Sequence, residues 1–354
     1  MKMNALLVFA LTASALMTCA QEPRVTNTQF HSGPVSLGLS ATVDRFRHAD
    51  HALWLGYAVP ALPRTHLSAC SSWTGTSEVE DGCCHELWLE DTPDNLRSSD
   101  QADLPAPTAY ILLRVEQGQI TRARVTAAGC TLNAGGVAFE WMTGVDPEES
   151  VVFLGKLAES ASAGPQRLTD ESLAALSMHA APKATSVLAS LAGSGNSNRL
   201  REKAAFWLGS VRGHDGLLAL RQLVLSEQDP KFREKLAFDF SINSDPGAID
   251  DLIQMAKSDS DSRARGQALF WLAHKAGKKA LGTLNASVDS DPSLDVKKKA
   301  VFAISQLPKD ESVPQLVHIA DTNANFAIRK EAIFWLGQSQ DPRALAYIEA
   351  ILKR

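Results

Sequence analysis

The chain has 354 residues, which is too long for a single small core and predicts two or three domains. Its composition is ordinary for a soluble protein, with 45% hydrophobic residues, 21% charged residues and a formal net charge of -5. Because positive charge is not in excess, we expect no nucleic-acid partner, and beyond the N-terminus no apolar run has the length of a membrane span.

Residues 1–20 have the three-part layout of a secretory signal peptide: one lysine, an apolar stretch and a group of small residues. This layout predicts export to the periplasm or the extracellular space. Cleavage after Ala20 would leave a soluble protein. The segment Leu16-Met17-Thr18-Cys19 also loosely resembles a bacterial lipobox, and lipid on Cys19 is the only membrane attachment that we expect. A buried N-terminal helix is the remaining interpretation.

Four cysteines remain after the exported N-terminus is set aside: Cys70, Cys83, Cys84 and Cys130. An even number of cysteines in an oxidising compartment predicts two disulfides. Because a bond between neighbouring cysteines is strained, we expect Cys83 and Cys84 each to pair with one of the other two. A metal site at Cys83, Cys84 and His85 is less favoured, because zinc ligands are usually spaced two to four residues apart. We therefore expect no metal.

Residues 21–40 are small and polar and predict a linker, and residues 41–145 predict a β-rich domain. The apolar runs 53–59 and 86–90 are candidate strands. Residues 110–116 and 119–126 predict a hairpin that turns at Gln117-Gly118. Residues 146–164 predict a connecting helix that begins at Asp146-Pro147.

From residue 165 to residue 354 the sequence repeats itself with a period of 32 residues. A phenylalanine marks the register in five units: Phe206, Phe238, Phe270, Phe302 and Phe334. The residues two before and two after it are apolar, the residue three after it is small, and the residue five before it is basic. These basic residues are Arg201, Arg233, Arg265, Lys297 and Arg329. Each unit predicts two antiparallel helices, which bury their apolar faces only by stacking on neighbouring units.

The clearest units carry Asp229-Pro230-Lys231-Phe232-Arg233 and, at residues 328–337, Ile-Arg-Lys-Glu-Ala-Ile-Phe-Trp-Leu-Gly. This pattern resembles the HEAT-like repeats that also occur in phycobilisome-linker-lyase proteins, over about residues 165–354. The resemblance implies an α-helical solenoid. It also implies a protein or peptide partner, since such repeats mostly serve as binding scaffolds. The predicted fold is multidomain α+β, with a small disulfide-stapled β-rich N-terminal domain followed by a HEAT-like α-helical solenoid.

On a helical wheel the repeated phenylalanine lies in the middle of the polar arc, on the helix that usually lines the concave side of a solenoid. The candidate partner-binding residues on this arc and its flank are Phe206, Trp207, Phe238, Phe270, Trp271, Phe302, Phe334, Trp335, Lys203, Lys235 and Lys299. Two alternatives stay open: the rings pack on one another, or the β-rich domain covers them. For the repeated basic residue we expect a structural role, bonding an aspartate or a helix-end carbonyl of the adjacent repeat.

The sequence contains no catalytic motif, and the function that it favours is a non-catalytic, exported scaffold that needs no cofactor. Such a scaffold would bind a protein or peptide through an aromatic and basic groove. One alternative is an enzyme of the bilin-lyase kind. The other places the binding function in the β-rich domain and makes the solenoid a spacer.

Overall fold

The computed structural model describes residues 22–62, 87–90, 108–164 and 166–353, in which a mixed β-sheet precedes a long array of α-helices. The strands are β1 (Val25–Thr26), β2 (Phe30–Pro34), β3 (Leu53–Pro60), β4 (Leu87–Trp88), β5 (Thr108–Glu116), β6 (Gln119–Ala127), β7 (Leu132–Asn133) and β8 (Ala138–Thr143). The helices are α1 (Leu39–Arg47), α2 (Pro147–Ala161), α3 (Gln166–Ser177), α4 (Lys183–Leu191), α5 (Asn198–Val211), α6 (Gly213–Ser226), α7 (Pro230–Ile242), α8 (Ala248–Ser258), α9 (Ser262–Ala276), α10 (Leu281–Ser290), α11 (Leu294–Ser305), α12 (Lys309–Thr322), α13 (Phe326–Gln338) and α14 (Pro342–Leu352). Most of the described residues are thus helical. No helix among them is long and apolar enough to cross a membrane.

Five strands form the main sheet in the order β2-β8-β3-β5-β6. β5 and β6 are the predicted hairpin, and its turn residues Gln117 and Gly118 have φ angles of 50° and 74°. Positive φ at both positions is typical of the tight turn that matches the twist of a two-stranded ribbon. β3 pairs antiparallel with β5 and parallel with β8.

The segment that we predicted as a linker, residues 21–40, instead supplies β1, β2 and the first residues of α1. β2 pairs in parallel with β8, so that Phe30 lies opposite Phe139. Such a strand is hard to find in the sequence because β2 lies at the edge of the sheet and four of its five residues are exposed. It therefore lacks the alternation of apolar and polar residues by which a half-buried strand is recognised.

The two faces of the sheet are buried by different partners. Trp54, Leu112 and Phe139 lie in a cluster with Leu132, which belongs to the small sheet β1-β7-β4. Leu55, Tyr57 and their neighbours on the opposite face share a core with residues of the helices. Because apolar residues of the sheet and of the helical array belong to one continuous cluster, the two regions share a core.

The predicted disulfides fall largely outside the described residues, because Cys70, Cys83 and Cys84 all lie in the segment 63–86. Cys130 is described and is 2% exposed, between β6 and β7. The disulfide pairing, and the choice between disulfides and a metal, stay predictions. The expected signal peptide and its Cys19 also lie outside the described residues.

The helices form two layers. α3, α5, α7, α9, α11 and α13 pack side by side in one layer, and α2, α4, α6, α8, α10, α12 and α14 lie behind them. Helix starts follow the sequence signals: Asp146, Asp229 and Asp341 each cap a helix with the side chain, and proline occupies the first helical position. α2, which we predicted as a connector, packs on α3 and α4 and so begins the second layer.

Candidate partner-binding face

The repeated phenylalanines lie on adjacent helices of one layer: α5, α7, α9, α11 and α13. Four of the rings are half-buried and the fifth, Phe334, is 54% exposed. Phe206 stacks on Phe238 with ring centroids 6.4 Å apart, and Phe270 stacks on Phe302 at 5.8 Å. The rings therefore contact both one another and solvent.

Tryptophans connect these stacked pairs into a continuous row. Trp271 lies 4.9 Å from Phe238 in the preceding helix and 4.9 Å from Phe270 in its own. Trp335 likewise lies 4.7 Å from Phe302 and 5.0 Å from Phe334. We call the eight residues of this row the aromatic ladder: Phe206, Trp207, Phe238, Phe270, Trp271, Phe302, Phe334 and Trp335.

Trp207 differs from the other predicted aromatic residues. It is only 5% exposed and belongs to the shared core, although its ring also contacts Phe206 at 5.3 Å. In the next helix the corresponding position holds Asp239, which is 4% exposed. Burial raises the pKa of Asp239 well above its usual range, and nearby Glu202 raises it further. A buried carboxyl group therefore occupies a place that three other units fill with an indole.

The predicted lysines lie beside the ladder but differ in their partners. Lys203 forms an ion pair with Asp170, 3.5 Å away. Lys235 and Lys299 make no ion pair within the described residues. Two of the three predicted cations are thus available to a negatively charged partner.

The repeated basic residues have a structural role, as predicted, but Lys297 and Arg329 bond carbonyls of their own unit and not of the adjacent repeat. Arg201 donates to Ala192 O and to the carboxylate of Glu227. Lys297 donates to Val288 O and Asp289 O, and Arg329 donates to Asn323 O and Ala324 O. These bonds satisfy carbonyls at helix ends, which otherwise lack partners within the helix.

Arg233 and Arg265 connect the units in series. Arg233 donates to both carboxylate oxygens of Asp259 at 2.9 and 3.1 Å, and the main-chain carbonyl of Asp259 accepts from Arg265 at 2.9 Å. Arg265 in turn binds both oxygens of Asp291, 26 residues further along the chain. The corresponding partner of Lys297 would be residue 323, which is a neutral asparagine. The carboxylate connection is therefore missing between α11 and α13.

Two adjoining depressions open on this face between α9 and α11. One, of about 280 Å³, is lined by Gly266, Gln267, Phe270, Lys299 and Phe302. The other, of about 310 Å³, is lined by Ser262, Arg263, Asp295, Lys298 and Lys299. Lys299 is common to both, so an aromatic and a basic depression meet at one side chain. Gly266 was not among the predicted site residues, although the other units carry a charged residue at its position.

A buried chain of polar side chains, which we did not predict, joins the sheet to the helices. Tyr57 of β3 lies 2.8 Å from Ser150 of α2, and Ser150 Oγ lies 2.9 Å from His179 Nε2. His179 Nδ1 contacts Ala175 O at 2.9 Å. Burial lowers the pKa of His179 to about 4, so the ring is neutral at pH 7. Ser150 and His179 are both fully buried, which makes them a structural pair rather than an accessible nucleophile and base.

Comparison with known proteins identifies the repeats. Residues 249–326 and 284–354 match the sequence family of HEAT repeats, so residues 249–354 are built of HEAT repeats. No curated protein matches the sequence.

Solved structures with a similar chain path include human deoxyhypusine hydroxylase in complex with glycerol, at 18% identity and a TM-score of 0.32 over 58% of this chain and 90% of that one. The complex of CpcE and CpcF of phycocyanin lyase from Nostoc sp. is 22% identical with a TM-score of 0.32, over 43% of this chain and 98% of that one. Kap121p bound to Pho4p is 12% identical with a TM-score of 0.38, over 58% of this chain and 27% of that one. Likenesses at this level say nothing about a shared activity.

Proposed function

We propose that this HEAT-repeat chain is a non-catalytic scaffold that binds an acidic, partly apolar protein or peptide segment along the aromatic ladder. The observation that supports this most directly is the ladder itself. It crosses five adjacent helices of one layer and keeps its phenylalanine rings half-buried or exposed.

The ladder provides contact area at a low entropic cost. Aromatic side chains have few rotatable bonds, and here each ring already packs against a neighbouring ring, so little freedom is lost when a partner binds. Contiguous apolar surface that remains in contact with water is typical of interaction sites. A partner that covers the rings would bury the rest of their surface.

The charge beside the ladder favours an acidic partner. At the positions three, four and seven before each phenylalanine, eight residues are basic and four are acidic. The basic ones are Arg199, Lys203, Lys231, Lys235, Arg263, Lys298, Lys299 and Lys330; the acidic ones are Glu202, Glu234, Asp295 and Glu331. This excess of positive charge contrasts with the net charge of -5 of the whole chain. The face therefore attracts negative groups that the rest of the surface repels.

Partner capture with and without the ladder tests the proposal. A variant in which Phe238, Phe270 and Phe302 are changed to serine should lose the partner that the unchanged chain recovers by crosslinking, while circular dichroism stays helical. A matched control changes three exposed leucines of the other layer, Leu218, Leu225 and Leu345, to serine. Unchanged recovery with the phenylalanine variant would contradict the proposal.

The alternative of a bilin-lyase-like enzyme makes a different prediction for the purified protein. It requires a bound chromophore or lyase activity, so a visible absorption band would favour it over the scaffold. The spacer alternative is tested by deleting residues 165–354, because retained binding would assign the function to the β-rich region.

We also propose that the chain is exported, because residues 1–20 have the layout of a signal peptide. The mass of the N-terminal peptide of the protein recovered from cells decides between cleavage after Ala20 and lipid on Cys19. An intact first residue at Met1 would contradict export by this route.

A further inference from the structure

We infer that the two depressions between α9 and α11 form one subsite, which recognises an apolar side chain next to a carboxylate in a bound peptide. This inference rests on the proposed function and gives the partner a chemical signature. The apolar side chain would lie on Phe270 and Phe302, and the carboxylate would lie among Arg263, Lys298 and Lys299.

The aromatic depression has a flat, well-defined wall. Phe270 and Phe302 are nearly parallel, with an angle of 4° between their planes and 5.8 Å between their centroids. His274, four residues later in α9, packs edge-on against Phe270 with ring centroids 4.4 Å apart. Two parallel rings offer their faces and edges to an aliphatic or aromatic side chain, which such surfaces bind well.

A missing side chain creates this depression. At the position four before the phenylalanine, the other units carry Glu202, Glu234, Lys298 and Lys330, whereas α9 carries Gly266. A Cβ atom on Gly266 would lie 2.3 Å from Lys299 Cδ. The glycine thus lets the methylene chain of Lys299 lie against α9 and leaves the rings uncovered. No other unit of the ladder combines this glycine with a stacked ring pair.

Gln267 supports the same interpretation. In α13, Trp335 Nε1 donates at 2.9 Å to Glu331, four residues earlier. The corresponding residue in α9 is Gln267, which lines the depression and does not accept a hydrogen bond from Trp271. Trp271 Nε1 is buried without an acceptor among the described residues. A polar amide is therefore present at the rim, where it can bond the main chain of a peptide.

The basic depression lacks sufficient internal partners for its cations. Arg263 forms an ion pair with Asp261. Lys298 and Lys299 form none with any described residue, and the single acid that lines the depression is Asp295. Bringing a carboxylate to this place would pair charges that are now only solvated, which favours acidic over neutral peptides.

A labelled synthetic peptide tests the subsite on the full chain. The probe is a fluorescein-labelled peptide with one phenylalanine between two aspartates, flanked by glycine and serine, and the readout is fluorescence anisotropy. Two companion peptides replace the aspartates with asparagine or the phenylalanine with serine. Each companion should bind at least about tenfold more weakly than the probe, which corresponds to about 1.4 kcal/mol.

Two chain variants test the two halves of the subsite. Gly266→Leu fills the aromatic depression, and Lys298→Gln with Lys299→Gln removes the charge; each should weaken binding of the probe about tenfold. Their matched controls are Gly282→Leu, at a helical glycine with no atom within 4 Å of an added Cβ, and Lys278→Gln with Lys279→Gln, two exposed neighbouring lysines. Both controls should bind the probe as the unchanged chain does.

The outcomes separate this inference from the proposed function. One outcome is that the serine variant of Phe238, Phe270 and Phe302 loses the probe while both subsite variants still bind it. In that case the inferred subsite is wrong, and the proposed binding along the aromatic ladder still stands. If all of these variants bind like the unchanged chain, neither idea stands. Circular dichroism of each variant establishes that it is folded, and a subsite variant that unfolds is replaced by Gly266→Ala, which requires only that the flexible Lys299 side chain shifts.

Discussion

Arg265 of α9 holds Asp291, at the C-terminal end of α10, through two parallel hydrogen bonds, Nε to Oδ2 at 2.8 Å and Nη2 to Oδ1 at 2.9 Å. Their side chains are 10% and 6% exposed. A charged pair of this geometry fixes the loop before α11 to the preceding unit, because the planar guanidinium matches both carboxylate oxygens. Arg233 and Asp259 repeat the arrangement one unit earlier.

Breaking this pair should destabilise the array. Asp291→Asn leaves the Arg265 guanidinium with carbonyl partners but no carboxylate, and we expect the free energy of unfolding to fall by about 3 kcal/mol. Urea denaturation followed by circular dichroism measures the change. Asp310→Asn, which alters a largely exposed pair with Arg343, is the control and should leave the midpoint nearly unchanged.

The effect of Asp291→Asn should also depend on pH. Burial raises the pKa of Asp291, but hydrogen bonds from Arg265 and Ser293 outweigh it, so the pKa is lowered on folding. A carboxyl group with a lowered pKa in the folded state contributes stability above its unfolded pKa of about 3.9 and loses it as the pH falls through the folded pKa. The difference between the two proteins should therefore shrink below about pH 4; a constant difference down to pH 2 would contradict the assignment.

The small residue three after each phenylalanine should be required where two helices approach closely. A Cβ on Gly209 would lie 2.4 Å from Asp239 O, a main-chain atom that cannot rotate away. We expect Gly209→Ala to destabilise the protein by about 2 kcal/mol despite the higher helix propensity of alanine. Gly282→Ala has open space and should instead stabilise it by about 0.5–1 kcal/mol. Equal effects at the two sites would refute this account of the α5–α7 contact.

The buried His179 should make the protein less stable in mild acid. Its pKa is lowered to about 4 by burial, whereas an unfolded histidine titrates near 6.5. Between these values the unfolded chain binds the extra proton, so stability falls as the pH decreases from about 6.5 to about 4, by about 3 kcal/mol in total. His179→Gln should remove this part of the pH dependence in urea titrations at pH 7 and pH 4.5. A variant that keeps the full slope would show that another group is responsible.

The ladder rings should contribute less to stability than core rings of the same type. Phe240 is 2% exposed, and Phe240→Ala should cost about 4 kcal/mol. Phe302 is half-buried between Phe270 and Trp335, and Phe302→Ala should cost about 2 kcal/mol. Thermal and urea unfolding of the two variants gives the comparison. Equal losses would mean that the rings act as core residues and have little surface to offer a partner.

The helical array was predictable because its signals are local and repeat. Phe206 and its counterparts establish the period, Asp-Pro pairs begin several helices, and a basic residue recurs near the buried side of each wheel. The hydrogen bonds of Arg233 and Arg265 confirm the structural role expected of that residue. Because one pattern occurs five times, the helices assigned in one unit support the same assignment in the others.

The features that the sequence did not predict depend on contacts between distant parts of the chain. β2 is a strand because Phe30–Pro34 pairs with a strand more than a hundred residues away. Tyr57 and Ser150 are 93 residues apart, and no motif connects them. At the candidate site, the wheel placed Phe270 and Phe302 on one face, but it could not show that their rings are parallel. It also could not show that Gly266 lets the Lys299 side chain of α11 lie against α9.

The asparagine at position 323 has a mechanical consequence. An arginine–carboxylate ion pair connects the earlier units to one another, so these units should resist an applied force together. Lys297 instead bonds only two carbonyls of its own unit. In a linear array of repeats, the interface between neighbouring units that has the lowest stability separates first. The helices α12 to α14 should then detach as a cooperative group while the remainder stays intact. A pulling experiment would record this as an early, separate extension step.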